Sequence, residues 1–299
     1  HMAFGVSNHF DGSATPGVLP QVAAQVVLLN PDDIDSVASM FEQDDDIAAV
    51  ILEPTGGGGG MSPLAPGFVE QLREITKQLG ILLIMDEVVT GFRVHKGGAQ
   101  GLYGVVPDLS SLAKILAGGL PGGAVVGRAE ILDHLDFQAA ANREFEKIHH
   151  PGTFNANPLS AAAGTKTLEI IADTDAVERA GAFGEALRPR LNRVFADAGL
   201  AWAAYGQGAS FFIYMNPNEQ AIDPLNFDPL AVPYQDIKSK PPSLMNKLRL
   251  ALLIGGVDIS GSGGGVISAT HDDADLEQTV TAFDQATAML ISEEDLPRT

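Results

Sequence analysis

The sequence has no cysteine, which excludes disulfides and thiolate metal sites and is compatible with a reducing compartment; a cytoplasmic location is expected. Long apolar runs are also missing. No stretch reaches the roughly 18 residues of a membrane helix, and no basic region followed by an apolar one marks a signal peptide, so no membrane partner is expected. Basic residues are scarce: 18 Lys and Arg stand against 38 Asp and Glu, for a formal charge of −20. Nucleic acid is a poor partner for such a chain, because its phosphates need cations. A solvated acidic surface that aids solubility accounts for the balance, and adaptation to high salt would leave the same mark. Histidines do not compensate for the missing thiolates. His149 and His150 are adjacent and point apart, while His95 and His271 lack ligand-like spacing with them, so no metal site is read.

What is present suits an α/β enzyme. The chain has 299 residues, 45% of them hydrophobic, enough to bury a sizeable core, and 33 glycines without collagen-like period supply tight turns. Apolar runs at Gln25–Leu29, Ile47–Leu52, Ile81–Met85, Leu109–Lys114 and Ala124–Val126 read as strands, the second as a buried parallel one. Between and around them, Asn30-Pro31-Asp32-Asp33 caps a helix to about Gln43, Pro66 begins one to Leu79, and Asn157-Pro158 opens one to Ile171. This alternation predicts a mostly parallel sheet with crossover helices. Beyond about Thr174 the pattern changes. A long amphipathic helix (Val177–Ala198), a strand (Phe211–Met215), a Pro- and Asp-rich loop (Pro217–Pro242), a helix (Ser243–Ile254), a glycine-rich turn and a helix from Asp273 predict a smaller α+β domain over 175–299, after a large domain over 1–174.

Open parallel sheets place ligands at the carboxyl ends of their strands. Glu53, Asp86 and Lys114 stand at three such ends. Lys114 has apolar neighbours, Leu112, Ala113, Ile115 and Leu116, which favour the neutral amine that Schiff-base chemistry needs. A lysine snorkelling from a strand edge fits the spacing equally well. Asp86 could keep the ring nitrogen of a pyridine cofactor protonated, and Val88 could supply an apolar face to the ring. On spacing alone, an acid capping the turn after its strand is the simpler account of Asp86.

Three stretches, residues 51–93 with EPTGGGGG, MDEVVTGFR, residues 97–127 with LSSLAKILAGG, and residues 150–164 with GTFNANP, together resemble the class III aminotransferases, most nearly the glutamate-1-semialdehyde aminomutase-like branch. The 28 positions between Asp86 and Lys114 match that pattern. The resemblance implies the fold-type I architecture, pyridoxal 5'-phosphate as cofactor, and a homodimer with active sites at its interface. It implies that Lys114 holds the cofactor as a Schiff base and moves the substrate's α-proton, that Asp86 pairs with the pyridine nitrogen, and that Val88 stacks on the ring. Thr153 would donate to the cofactor phosphate across the interface, Glu53 would sit near the site, and Arg93 matches a family position that an ion pair could also explain. The implied substrates are small: an amine or amino acid donor and a keto acid, aldehyde or ketone acceptor.

Two departures stand out. Members of that family carry a longer amino-terminal segment with a glycine-serine-threonine phosphate loop and a second ring-stacking aromatic, and neither motif is present here; the large domain is expected to be short at that end, with an exposed sheet edge. Gly263 stands where the aminomutase branch has a glutamate, which favours simple transamination over mutase chemistry. A truncated, catalytically weak or inert relative is the competing reading. Joint retention of Lys114, Asp86, Val88 and Thr153 favours the active enzyme.

Overall fold

A computed structural model describes residues 14–30, 33–143, 145–293 and 296, in two compact units. The first comprises the chain up to Gly59 and Leu64–Thr174; the second comprises Gly60–Pro63 and the chain from Asp175 onward.

The first unit runs α1 (Pro20–Ala23), α2 (Ile34–Gln43), β1 (Ala49–Leu52), α3 (Phe68–Leu79), β2 (Leu82–Asp86), α4 (Gly98–Tyr103), β3 (Leu109–Ala113), a 3₁₀ turn (Lys114–Ala117), β4 (Gly123–Gly127), α5 (Ala129–Leu132), α6 (Phe137–Arg143) and α7 (Pro158–Asp173). Its sheet has the order β1-β2-β3-β4. β1, β2 and β3 are parallel, in register Ala49↔Leu82 and Ile84↔Leu109. α3 crosses between the first two strands, and its apolar stripe Phe68, Val69 and Leu72 packs with Leu83 and Met85 of β2 and with Val37 and Phe41 of α2. α2 starts where Asp33 accepts from the Ser36 amide at 2.8 Å. Pro31 and Asp32 of that cap lie outside the described residues.

Several local expectations are corrected. Gln25–Leu29 is not a strand: Pro20 opens α1 instead, and the Gln25 and Val26 amides donate back to Val22 and Ala23. β1 is parallel but not buried. Among the described residues it lies at the sheet edge beside β2, and Ile51 is 64% exposed. At the opposite edge β4 runs antiparallel to β3, with Val125 exposed. The connection over residues 114–122 is too short for the crossover of a dozen or more residues that a parallel partner requires. α3 begins at Phe68 rather than Pro66, because Gly67 has φ 78.

The second unit runs α8 (Ala176–Asp197), β5 (Ala203–Tyr205), β6 (Ser210–Tyr214), α9 (Tyr234–Lys238), α10 (Pro242–Ile254), β7 (Gly264–Val266) and α11 (Asp273–Glu293). Its three strands form an antiparallel sheet, β5-β6-β7. Leu187, Leu191 and Phe195 of α8, Leu248 and Leu252 of α10 and Phe283 of α11 bury against Trp202, Phe211 and Ile213. The glycine-rich turn after α10 therefore contributes a strand, β7. The Pro- and Asp-rich loop is more ordered than its composition suggests: Asp223 and Asp228 each cap a 3₁₀ turn begun by the following proline, and Phe227 stacks on Tyr214 with centroids 5.1 Å apart.

Candidate active site

Because β1, β2 and β3 are parallel and adjacent, their carboxyl ends lie along one side of the sheet. Glu53 follows β1, Asp86 ends β2 and Lys114 follows β3. The register sets Asp86 opposite Ser111, three residues before Lys114.

Lys114 occupies a constrained turn. Its φ is 53, in the left-handed region that a residue bearing a Cβ adopts at a cost of about 1–3 kcal/mol. The backbone of α7 packs closely on that turn: a Cβ on Gly164 would lie 2.6 Å from the Leu116 carbonyl oxygen, and one on Gly118 2.7 Å from that of Ala163. Two glycines thus let a helix and the lysine turn approach backbone to backbone. The residue is exposed, yet desolvation of its ammonium lowers the pKa, and the positive charge of Arg93 lowers it further, against the opposing pull of Glu53 and Asp86. Glu53, Asp86 and Lys114 thus gather at adjacent strand ends, around an amine that gives up its proton more readily than a free lysine.

Each acid of the cluster is held by the chain. Asp86 Oδ1 accepts from the Val88 amide and from Ser111 Oγ, both at 3.0 Å, while Oδ2 accepts from none of the described residues. Val88 is half-buried beside it. Glu53 is tied down at both oxygens, accepting from the Gly58 amide at 2.9 Å and the Gly59 amide at 2.7 Å. It anchors the pentaglycine loop, in which a Cβ on Gly59 would meet Val89 Cγ1 at 2.5 Å. Thr153 is not brought to these residues. It sits in an exposed turn beside Phe154, which is 77% exposed, and hydrogen-bonds to none of them. Arg93 forms no ion pair among the described residues; its Nε donates to the Val89 carbonyl at 2.9 Å.

Sequence reasoning passed over Glu87. It is fully buried, and its carboxylate accepts from Thr90 Oγ1 (2.8 Å), the Ala99 amide (2.7 Å) and the Gln100 amide (3.0 Å). Strand alternation was the available signal. Adjacent acids at a strand end point to opposite sides, so Asp86 and Glu87 cannot share a role. Glu87 instead ties the turn that carries Arg93 to the start of α4.

Residues 18–220 match the family model described as aminotransferase class-III. The chain is 36% identical over 232 residues to the glutamate-1-semialdehyde 2,1-aminomutase of Methanococcus maripaludis, covering 76% of this chain and 49% of that protein. An omega-transaminase from Sphaerobacter thermophilus superposes with a TM-score of 0.78 at 31% identity, over 92% of this chain and 60% of its own. A beta-phenylalanine aminotransferase from Variovorax paradoxus gives 0.78 at 28% identity, over 99% and 64%. The chain spans about half the length of the curated relative it matches.

Proposed function

The chain belongs to the class-III aminotransferase family, and on that premise we propose that it is a pyridoxal-phosphate-dependent transaminase moving an amino group from an amine or amino acid to a keto acid, aldehyde or ketone. The observation that carries this reading is the convergence of Lys114, Asp86 and Glu53 at the ends of three adjacent parallel strands, with the lysine amine biased toward its neutral form. These residues fit the cofactor: an exposed amine that has no hydrogen-bonded partner among the described residues suits an aldehyde, and a carboxylate held at one oxygen by those residues has the other open to a protonated ring nitrogen. When bound, pyridoxal phosphate supplies an electron sink for the charge that develops at the substrate's α-carbon.

The chain's own residues do the rest. Lys114 Nζ would hold the cofactor, and the same amine, biased toward its neutral form, would take a proton from the substrate's α-carbon and hand it on. Asp86 Oδ2 would keep the ring nitrogen protonated, with Ser111 and the Val88 amide fixing the carboxylate's orientation. Val88 would offer an apolar face to the ring. Glu53 holds the glycine loop beside the site. In a homodimer, the exposed Thr153 of one copy would donate to the phosphate held by the other, which accounts for its separation from Lys114 in the single chain. A cytoplasmic location belongs to the same reading.

The aminomutase alternative finds a local obstacle. Gly263 has φ 76, and a Cβ there would lie 3.1 Å from Met245 Sδ and 3.3 Å from Lys240 Cε, so a glutamate at this position would need the neighbours to give way. Transamination is therefore the stronger reading. Steady-state kinetics with an amino acid donor and pyruvate test it: parallel double-reciprocal plots are expected from two half-reactions sharing one amine-carrying site, and absence of any turnover would contradict it.

A further inference from the structure

Two buried acids brace the β2–β3 pair at its opposite ends. Asp108, just before β3, accepts from the Leu83 amide and from the guanidinium groups of Arg73 and Arg128. Glu87, just after β2, accepts from Thr90 Oγ1 at 2.8 Å, the Ala99 amide at 2.7 Å and the Gln100 amide at 3.0 Å. Hydrogen bonds to an ionised carboxylate are the strong kind, so these three fix the whole turn from β2 to α4. The backbone is shaped to them. Gly98 takes φ 67, and a Cβ there would lie 2.5 Å from Glu87 Oε2. The Gly91 amide donates to the Glu87 carbonyl at 2.8 Å, and a Cβ on Gly91 would lie 2.8 Å from Leu112 Cδ2 of β3.

The bracing reaches β3 by two routes, one residue apart. The Glu87 amide donates to the Ser111 carbonyl at 3.0 Å. Gln100 Nε2 donates to the buried Ser110 Oγ at 3.2 Å and to Glu87 Oε1 at 3.3 Å. Neighbouring residues of an extended chain point to opposite sides, so Glu87, Gln100 and Ser110 share one side of the sheet and Asp86 and Ser111 the other. Both donors to Asp86 Oδ1 are therefore attached to what Glu87 fixes. Ser111 Oγ belongs to the residue that receives the Glu87 amide, and the Val88 amide is the next peptide along the chain. We propose that Glu87 is a positioning residue for Asp86: its buried carboxylate locks the turn to β3 and so aims Asp86 Oδ2. That orientation stands on the hydrogen bonds themselves, whereas the ring nitrogen as the group Oδ2 meets rests on the transaminase reading.

Three variants test this. Glu87→Gln keeps the shape but turns one acceptor into a donor; Gln100→Leu leaves Glu87 in place and cuts the link to Ser110; Asp108→Asn disturbs the acid at the other end of the same strands. In the first arm, amide exchange is followed by NMR on the purified chain without cofactor. The Val88 amide is expected to exchange about tenfold faster in Glu87→Gln and several-fold faster in Gln100→Leu, with the Leu83 amide unchanged. Asp108→Asn is expected to do the reverse. Val88 exchange equal to the parent's in both turn variants, or equally accelerated in Asp108→Asn, overturns the proposal. In the second arm, pyridoxal phosphate is added and the pH midpoint of the visible band is measured. The midpoint is expected to move in Glu87→Gln in the same direction as in Asp86→Asn, and to stay in place in Asp108→Asn. A midpoint that moves in Asp86→Asn but not in Glu87→Gln overturns the proposal. Accelerated Val88 exchange in the two turn variants, with no cofactor band in the parent, supports the positioning and sinks the enzyme reading instead.

Discussion

Ser111 Oγ donates to Asp86 Oδ1 at 3.0 Å between register partners of two parallel strands. With the Val88 amide on the same oxygen, this fixes the carboxylate plane and leaves Oδ2 for a cationic partner. Asp86→Asn is expected to lower turnover about 10- to 100-fold, the equivalent of losing one charge-assisted hydrogen bond of about 1.5–3 kcal/mol. Ser111→Ala, which only loosens the carboxylate, is expected to cost several-fold. Kinetics at saturating cofactor measure both, and an Asp86→Asn protein as active as the parent would remove the ring-nitrogen role.

The close approach of α7 to the lysine turn gives a second test. Gly164→Ala adds a Cβ 2.6 Å from the Leu116 carbonyl oxygen, which neither backbone can avoid without moving. A loss of about 1–3 kcal/mol is expected from overpacking, with weakened cofactor retention because the displaced turn carries Lys114. Thermal unfolding and cofactor dissociation report the two effects, and a variant unchanged in both would show that the contact does not position the lysine.

Much of this was legible in the sequence. Apolar runs ending in Glu53, Asp86 and Lys114 marked three strands and their carboxyl ends, which a parallel sheet brings to one side. Other elements were not legible. Ala124–Val126 reads like any buried strand, and only the shortness of residues 114–122 makes it antiparallel. Gln25–Leu29 has strand composition, but its Gln25 and Val26 amides turn back to Val22 and Ala23. The burial of Glu87 and the anchoring of Arg93 on Val89 depend on contacts with Thr90, Ala99, Gln100 and Val89 that no periodicity encodes.

Asp108 sets the acid limit of stability. Against desolvation, which alone would raise it, the Leu83 amide and the guanidinium groups of Arg73 and Arg128 hold its pKa at about 2. An unfolded aspartate titrates near 3.9. The depressed value contributes stability above about pH 4, lost as pH falls toward 2, of about 2 kcal/mol. Asp108→Asn is expected to flatten the fall of denaturant stability over that window and to lower stability at neutral pH; an unchanged acid limb would contradict this.

Lys240 acts at the opposite end. Burial lowers its pKa to about 8, and its Nζ donates to the Ile213 and Ile237 carbonyls. The unfolded amine keeps its proton to about pH 10.4. Stability from this group therefore rises with pH from 8 to 10.4, by at most about 3 kcal/mol. Lys240→Met is expected to abolish that rise in denaturation profiles, and a slope that survives the substitution would place its origin elsewhere.

The central claim is that Lys114 holds the cofactor, and the direct measurement is the visible absorbance of the purified chain with pyridoxal phosphate, beside Lys114→Ala. The account predicts a yellow band in the parent that is distinct from free cofactor, bleaches with an amino donor, returns with a keto acid, and is absent from Lys114→Ala. A parent spectrum equal to that of free cofactor, or a band that persists unchanged without the lysine, would contradict it.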